Sequence, residues 1–354
     1  MAAPSASDLV LVTGASGFIA QHTILQLLEA GHRVRGTLRS LGREAEVRKV
    51  ISGNLKDAKL AERLELVAAE LTRDDGWREA VRGCRFVVHM ASPLPNTPPK
   101  DEDELIKPAR DGALRVLAAA AAERAAGTGP ERVVMTSSVA AVLYGLARDG
   151  SKVYDEQDWS ELTPLVGAYE KSKTIAERAA WDFVKALPAD QRFEFCTINP
   201  GLVLGPILSD DVNTSAELVR KLMKRELPGC PDVGWAVVDV RDVAAAHVAA
   251  LTAAGAPDQR FIAAIEHASM LDVATILAQR YGSRGYRVPT RKIPGWLMKV
   301  VSLWDKTARL AVQELGLRQD LSNQRAKDVL GWKPRGLTEM VTAMADSMIA
   351  RGVV

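Results

Sequence analysis

Val12-Thr13-Gly14-Ala15-Ser16-Gly17-Phe18-Ile19-Ala20 is the stretch from which the rest of the chain is best read. It follows a short apolar run, Leu9–Thr13, rich in Leu and Val without polar alternation, the pattern of a strand buried on both faces. Gly14–Gly17 interrupts it, and Phe18–Ala30 then carries helical spacing up to Gly31. A glycine turn between strand and helix lets the backbone approach a pyrophosphate, and the helix N-terminus offers N–H donors to it. The pattern is Gly-x-x-Gly-x-x-Ala rather than Gly-x-Gly-x-x-Gly. Alone it also suits plain strand–helix packing. After a first strand, it points to a dinucleotide cradle with Gly14, Ser16, Gly17, Phe18 and Ile19 as contacts.

Outward from that turn, the same alternation repeats. Arg33–Leu38, Leu64–Ala68, Phe86–Ala91, Arg132–Ser137 and Phe193–Asn199 read as further strands. Leu105–Ala126 and Ala168–Ala186 read as helices between them. Alternation at this spacing predicts an α/β fold: a doubly wound parallel sheet with helices on both faces, of Rossmann type. After about Gly205 strand signals become sparse. We expect a smaller, mostly helical substrate-binding region over the carboxyl ends of the strands. Residues 8–205 form the expected dinucleotide-binding domain, with a returning element near 236–254, and 206–350 the substrate region. The acidic run Asp101–Glu104, after Pro98 and Pro99, reads as a loop and helix start.

Composition narrows the function. The 354 residues are 47% apolar and 25% charged, as in a globular protein rather than a disordered chain. A formal charge of +2 gives no electrostatic reason to expect nucleic acid or an acidic membrane surface as partner. No apolar run reaches membrane-spanning length, and Met1–Asp8 lacks the features of a signal peptide. Cys84, Cys196 and Cys230 are few and unpaired in spacing, which suits a reducing cytoplasm. The five histidines show no metal-ligand spacing, and His89 reads as a satisfied core residue; no metal is expected.

The end of the second strand bears on the cofactor. A site for unphosphorylated NAD usually places a carboxylate there to hold the ribose 2′-hydroxyl. This chain has Leu38-Arg39-Ser40, with Arg43 a turn on. A guanidinium binds a 2′-phosphate with two charge-assisted bonds, so NADP(H) is expected, although Arg39, Arg43 and Arg48 could also form a solvated face. Glu70 and Leu71, after the third strand, are placed to touch the adenine.

Tyr169-Glu170-Lys171-Ser172-Lys173 puts a phenol and an ammonium at i and i+4 on one helix face. Ser138 ends the fifth strand, at the edge where open α/β sheets bind ligands. This set suits carbonyl reduction, with Tyr169 giving a proton to the carbonyl oxygen and Ser138 holding it. Lowering a tyrosine from about 10 to about 7 takes roughly 4 kcal/mol. A charge about 4 Å away at an effective dielectric near 20 supplies that amount, so Lys173 alone is expected to tune the acid.

With these residues in hand, the chain resembles the extended short-chain dehydrogenases/reductases, in the branch of dihydroflavonol reductases, cinnamoyl-CoA reductases and yeast carbonyl reductases. The resemblance is carried by Val12–His22, Gly36–Ser40, His89-Met90-Ala91-Ser92-Pro93, Thr136–Val142, Tyr169–Lys173, Asn199–Pro206 and Ser322–Ala326 with Leu330–Pro334. It implies catalytic roles for Ser138, Tyr169 and Lys173. It implies that Arg39 and Arg43 take the 2′-phosphate, that Ala91 and Ser92 flank the cofactor, and that Pro200-Gly201 borders the nicotinamide. Ser215, in Asn213-Thr214-Ser215, would reach the cofactor from the substrate side. Leu143 is apolar where flavonoid reductases tend to carry a polar substrate-sensing residue, which favours an apolar or aryl ketone or aldehyde. Trp235, Trp296 and Trp304 are expected mainly in the core, with one or two lining the substrate pocket. Val237–Val243 resembles the element that returns to the sheet in the extended family, with Asp242 structural. Dihydroflavonol or hydroxysteroid oxidoreduction, sugar-nucleotide epimerisation and non-catalytic NADP(H) sensing stay open as alternatives. So does the choice between a monomer and a homodimer.

Overall fold

The computed structural model describes residues 8–93, 101–210 and 214–354; Pro98, Pro99, Asn213 and the N-terminal segment through Ser7 lie outside them. Along the first half run β1 (Leu9–Val12), α1 (Phe18–Glu29), β2 (Arg33–Leu38), α2 (Glu44–Asn54), β3 (Leu64–Ala68), α3 (Trp77–Val81), β4 (Phe86–His89), α4 (Asp103–Ala125), β5 (Arg132–Thr136), α5 (Ala168–Lys185) and β6 (Glu194–Pro200). The second half adds β7 (Leu202–Leu204), α6 (Thr214–Met223), β8 (Gly234–Asp239), α7 (Val240–Ala250), β9 (Arg260–Ala263), β10 (His267–Ser269) and α8 (Met270–Tyr281). It closes with α9 (Gly295–Val301), α10 (Lys306–Gln313), α11 (Gln324–Leu330) and α12 (Leu337–Ala350).

The main sheet is parallel, in the order β3-β2-β1-β4-β5-β6-β9. Strand residues alternate between two apolar layers. Val10, Val12, Val34, Val88 and Ile198 pack with α1, α2 and α7. Leu11, Val87, Val133 and Phe195 pack with α3, α4 and α5. Both layers are buried, which is why the strands read as continuous apolar runs. The order in which strands are added reverses between β1 and β4, so their carboxyl ends flank the crevice where such sheets take ligands.

One expectation is corrected here. The C-terminal region is mostly helical, as expected, and also carries β10-β8-β7, a second, mixed sheet beside α6, α8 and α12. The element near 236–254 does not rejoin the main sheet. Its strand β8 pairs with β7 and β10, and its helix α7 packs on α1; the returning strand is β9. Gly201 marks the split between the sheets, since a Cβ there would lie 2.1 Å from the Ala236 carbonyl oxygen. Asp242 is structural, accepting from the Arg335 backbone N–H at 2.6 Å and from its guanidinium. That contact anchors the segment between α11 and α12.

β4 ends at His89 rather than Ala91. The N–H groups of Met90 and Ala91 leave the ladder and donate to Thr13 Oγ1, each at 2.9 Å. Asp101–Glu104 does lead into a helix, with Asp103 and Glu104 in the first turn of α4. Among the described residues no helix is long and apolar enough to cross a membrane.

Candidate active site

The glycine turn is held from two neighbouring strands. Gly14 N–H donates to Thr37 Oγ1 at 3.0 Å and Ala15 N–H to the Thr37 carbonyl at 2.8 Å. Gly14 has φ +72°, and a Cβ there would come within 3.2 Å of Ala91. Glycine is therefore required both for the backbone and for the close approach of the β4 loop. Gly17 begins α1 in extended conformation, and no side chain caps the helix. No acidic residue stands in its first turn, so the N–H groups near Phe18 and Ile19 keep a positive end toward the crevice. Ser16 is half-buried at the turn.

Thr13 accounts for His89. With two backbone donors on its oxygen, the Thr13 hydroxyl proton is directed at His89 Nδ1, 2.9 Å away. Burial drives the His89 pKa down to about 3, so the ring is neutral and serves as a core acceptor. His247 is likewise neutral, its pKa lowered by burial to about 4, between Val243 O and Thr136 Oγ1.

The two arginines after β2 differ. Arg43 is held by Glu46 through bonds of 2.8 and 2.6 Å. Arg39 is exposed at the strand end with no ion pair among the described residues. Arg48 is occupied by Glu44 and the Leu64 carbonyl. Of the three, Arg39 has a guanidinium available to an anionic group. Glu70 and Leu71 follow β3: the Glu70 carbonyl takes the Trp77 indole at 3.0 Å, and Leu71 lies against Gly112 of α4.

Ser138, Tyr169 and Lys173 come together. Ser138 follows β5 in extended conformation, and its hydroxyl accepts from Ala140 N–H at 3.1 Å. That hydroxyl also acts on the Tyr169 phenol, favouring its ionised form. Lys173 Nζ lies 5.8 Å from the Tyr169 ring centre and donates to Ser92 Oγ at 3.1 Å. Ser92 thus joins the β4 loop to α5. Pro200 and Gly201 close β6 alongside β9, and Ser215 sits half-buried in the first turn of α6.

The electrostatics differ from the sequence expectation. The Tyr169 pKa stands above its ordinary value, because burial outweighs the Ser138 hydrogen bond. Lys173 does not offset that rise, because its ammonium gives up its own proton first: burial lowers the Lys173 pKa to about 8, and its Nζ donates to Ser92 Oγ. The phenol is therefore held as a proton donor.

Other expectations also change. Leu143 is fully buried with Val139, Val142, Ile262 and Ala264, so it is a packing residue and says nothing of substrate polarity. Trp296 and Trp304 are 68% and 77% exposed rather than core, while Trp235 is half-buried against the small sheet. Burial raises Cys84 and Cys196 to about 12, leaving inert thiols. Sequence reading passed over Thr13 and Thr37 as site-building residues. It also passed over Glu177, although Tyr169, Lys173 and Glu177 share a four-residue spacing.

Residues 10–264 match the NAD dependent epimerase/dehydratase family. The chain belongs to that family. This extended short-chain dehydrogenase/reductase is 30% identical over 358 residues to the NADPH-dependent methylglyoxal reductase of Saccharomyces cerevisiae, covering 96% of this chain and 98% of that one. It is 36% identical over 290 residues to a cinnamoyl-CoA reductase of Medicago truncatula, covering 80% and 84%. The structure of yeast methylglyoxal/isovaleraldehyde reductase complexed with NADPH superposes with a TM-score of 0.80 at 28% identity, over 98% and 100% of the chains. As a member of this family the chain is an NAD(P)-binding oxidoreductase, and its cradle fits a dinucleotide: a positive-φ glycine against Ala91 and an uncapped helix end.

Proposed function

We propose that this chain is an NADPH-dependent carbonyl reductase that reduces ketones or aldehydes to alcohols, reversibly. The observation that carries the reading is the gathering of Ser138, Tyr169 and Lys173 at the carboxyl edge of β5, with the Ser138 hydroxyl acting on the Tyr169 phenol and Lys173 Nζ 5.8 Å from its ring centre. Gly14, Ser16, Gly17, Phe18 and Ile19 would hold the pyrophosphate, and Ala91, Ser92, Pro200 and Gly201 would border the nicotinamide half. Arg39 would hold the 2′-phosphate. Arg43 would first have to leave Glu46, which supports a lesser role for it. Residues 8–205 with β9 would carry the cofactor, and 206–350 would mainly shape the substrate pocket. NADPH, when bound, supplies the hydride.

The protein's own residues then do three things. Ser138 donates to the substrate oxygen and orients it. Tyr169, kept protonated by its buried position, gives that oxygen its proton as charge develops. Lys173 places a positive charge beside the phenol, stabilising the phenolate left behind, and offers a donor to the cofactor ribose. The same set run backwards oxidises an alcohol.

A second reading, reduction of an aryl thioester, rests on the 36% identity to a cinnamoyl-CoA reductase. One assay tests both. Nicotinamide absorbance is followed with NADPH or NADH and an aryl ketone, an aliphatic aldehyde, an α-keto ester, a dihydroflavonol or cinnamoyl-CoA. Faster oxidation of NADPH than NADH with a ketone or aldehyde is expected. Turnover of the thioester alone favours the second reading. Binding of NADPH without oxidation by any carbonyl overturns both.

A further inference from the structure

Below the Ser138–Tyr169–Lys173 group lies a second polar cluster with no part in the steps above. Glu177 stands one helical turn beyond Lys173 on α5 and is fully buried. Its Oε1 accepts from Arg260 Nε at 2.6 Å and from Thr197 Oγ1 at 3.2 Å. Its Oε2 accepts from Asn199 Nδ2 at 2.8 Å and from the Ser137 hydroxyl. Asn199 Nδ2 also donates to the Ser138 carbonyl at 3.1 Å. Arg260, from β9, is equally occupied. It donates to the carbonyls of Glu156, Asp158 and Ala141 and lies 3.8 Å from the Trp159 ring centre.

A buried ion pair is poor evidence of stability, because desolvation cancels much of the attraction. What distinguishes this one is where its bonds lead. Ser137 and Asn199 are the two side chains that tie the carboxylate to the backbone of Ser138, whose hydroxyl meets Tyr169. Preorganisation of this kind matters because small misplacements of a reacting group cost large factors in rate. Glu177 is also the negative charge that acts on Lys173. Lys173 otherwise faces the neutral His89, the Tyr169 phenol and Ser92 Oγ. Arg260, on the far side of the carboxylate, holds it in place.

We propose that Glu177, clamped by Arg260 from β9, is the positioning residue of this site: it fixes Ser138 through Ser137 and Asn199 and is the counter-charge of the Lys173 ammonium. The proposal rests on the reductase reading above. Two variants of the full chain test it. Glu177→Gln keeps the size and the acceptor but removes the charge. Ser137→Ala cuts one of the two links to Ser138 while leaving the Asn199 link and the Glu177–Arg260 pair intact. With the carbonyl that wild type turns over, Ser137→Ala is expected to lower kcat about tenfold or more with KM for NADPH little changed. Glu177→Gln is expected to lower kcat and to move the alkaline fall of kcat/KM for NADPH down by about one pH unit. Folded variants with wild-type kcat and an unmoved alkaline fall overturn the proposal, as does a loss of melting temperature alone. If Glu177→Gln does not fold, the split between kcat and KM in Ser137→Ala decides. A wild type inert toward every carbonyl refutes the reductase reading instead. The clamp is then judged by the alkaline fall of NADPH binding, which moves down in Glu177→Gln if the counter-charge role holds and stays in place if it does not.

Discussion

Raising the pH should switch off Lys173 and not Tyr169. Burial lowers the Lys173 pKa to about 8, whereas the Tyr169 phenol is pushed above its ordinary value. The lysine therefore loses its proton first. Its charge acts over the 5.8 Å separating Nζ from the phenol ring centre. At an effective dielectric near 20, that separation is worth about 3 kcal/mol to a developing phenolate, or about a hundredfold in rate. One pH unit above its pKa only about a tenth of the lysine is charged, so the rate near pH 9 should be about a tenth of the plateau. The assay is kcat/KM for NADPH across pH 6–10, which reports groups of the free enzyme. Lys173→Arg keeps the site positively charged throughout that range, so its alkaline fall should disappear. An active Lys173→Arg variant that still falls near pH 8 would refute the reasoning and assign the fall to another group. The sign for stability is the reverse of the usual lysine case. Between about 8 and the ordinary lysine value the unfolded chain binds more protons at this position, so this contribution favours folding increasingly as pH rises.

Three further outcomes are expected. Tyr169→Phe should lower kcat by about a hundredfold or more while NADPH affinity by fluorescence titration stays near wild type, because the proton donor is lost and the cradle is not; undiminished turnover would remove Tyr169 from its assigned role. Arg39→Asp should weaken NADPH binding about tenfold to a hundredfold and NADH much less, as expected for a charge-assisted bond replaced by repulsion; calorimetry with both cofactors checks this, and equal losses would mean Arg39 is not the phosphate ligand. Gly201→Ala should destabilise the fold by about 3 kcal/mol, since its Cβ would meet the Ala236 carbonyl oxygen at 2.1 Å; an unchanged urea midpoint would show that the two sheets separate there without strain.

Local sequence determined the parts of this protein that are themselves local. The strand–turn–helix at Leu9–Ala30 was legible because buried strands are continuous apolar runs and helices repeat every 3.6 residues. Tyr169 and Lys173 were legible as a pair because one helix turn separates them, and His89 as a core residue because it lies inside a strand. Tertiary structure decided what depends on neighbours distant in the chain. The three-residue strands β7 and β10 have too few residues to show a period, and only pairing with a partner far along the chain makes them strands. Arg39 and Arg43 look alike in sequence, and Glu46 separates their roles. Tyr169 stays a protonated donor rather than being tuned by Lys173, because the desolvation of both groups is a property of the folded interior. The joining of Glu177 to Arg260 across 83 residues was likewise beyond any sequence period, since a hydrogen bond between strand and helix carries no spacing rule.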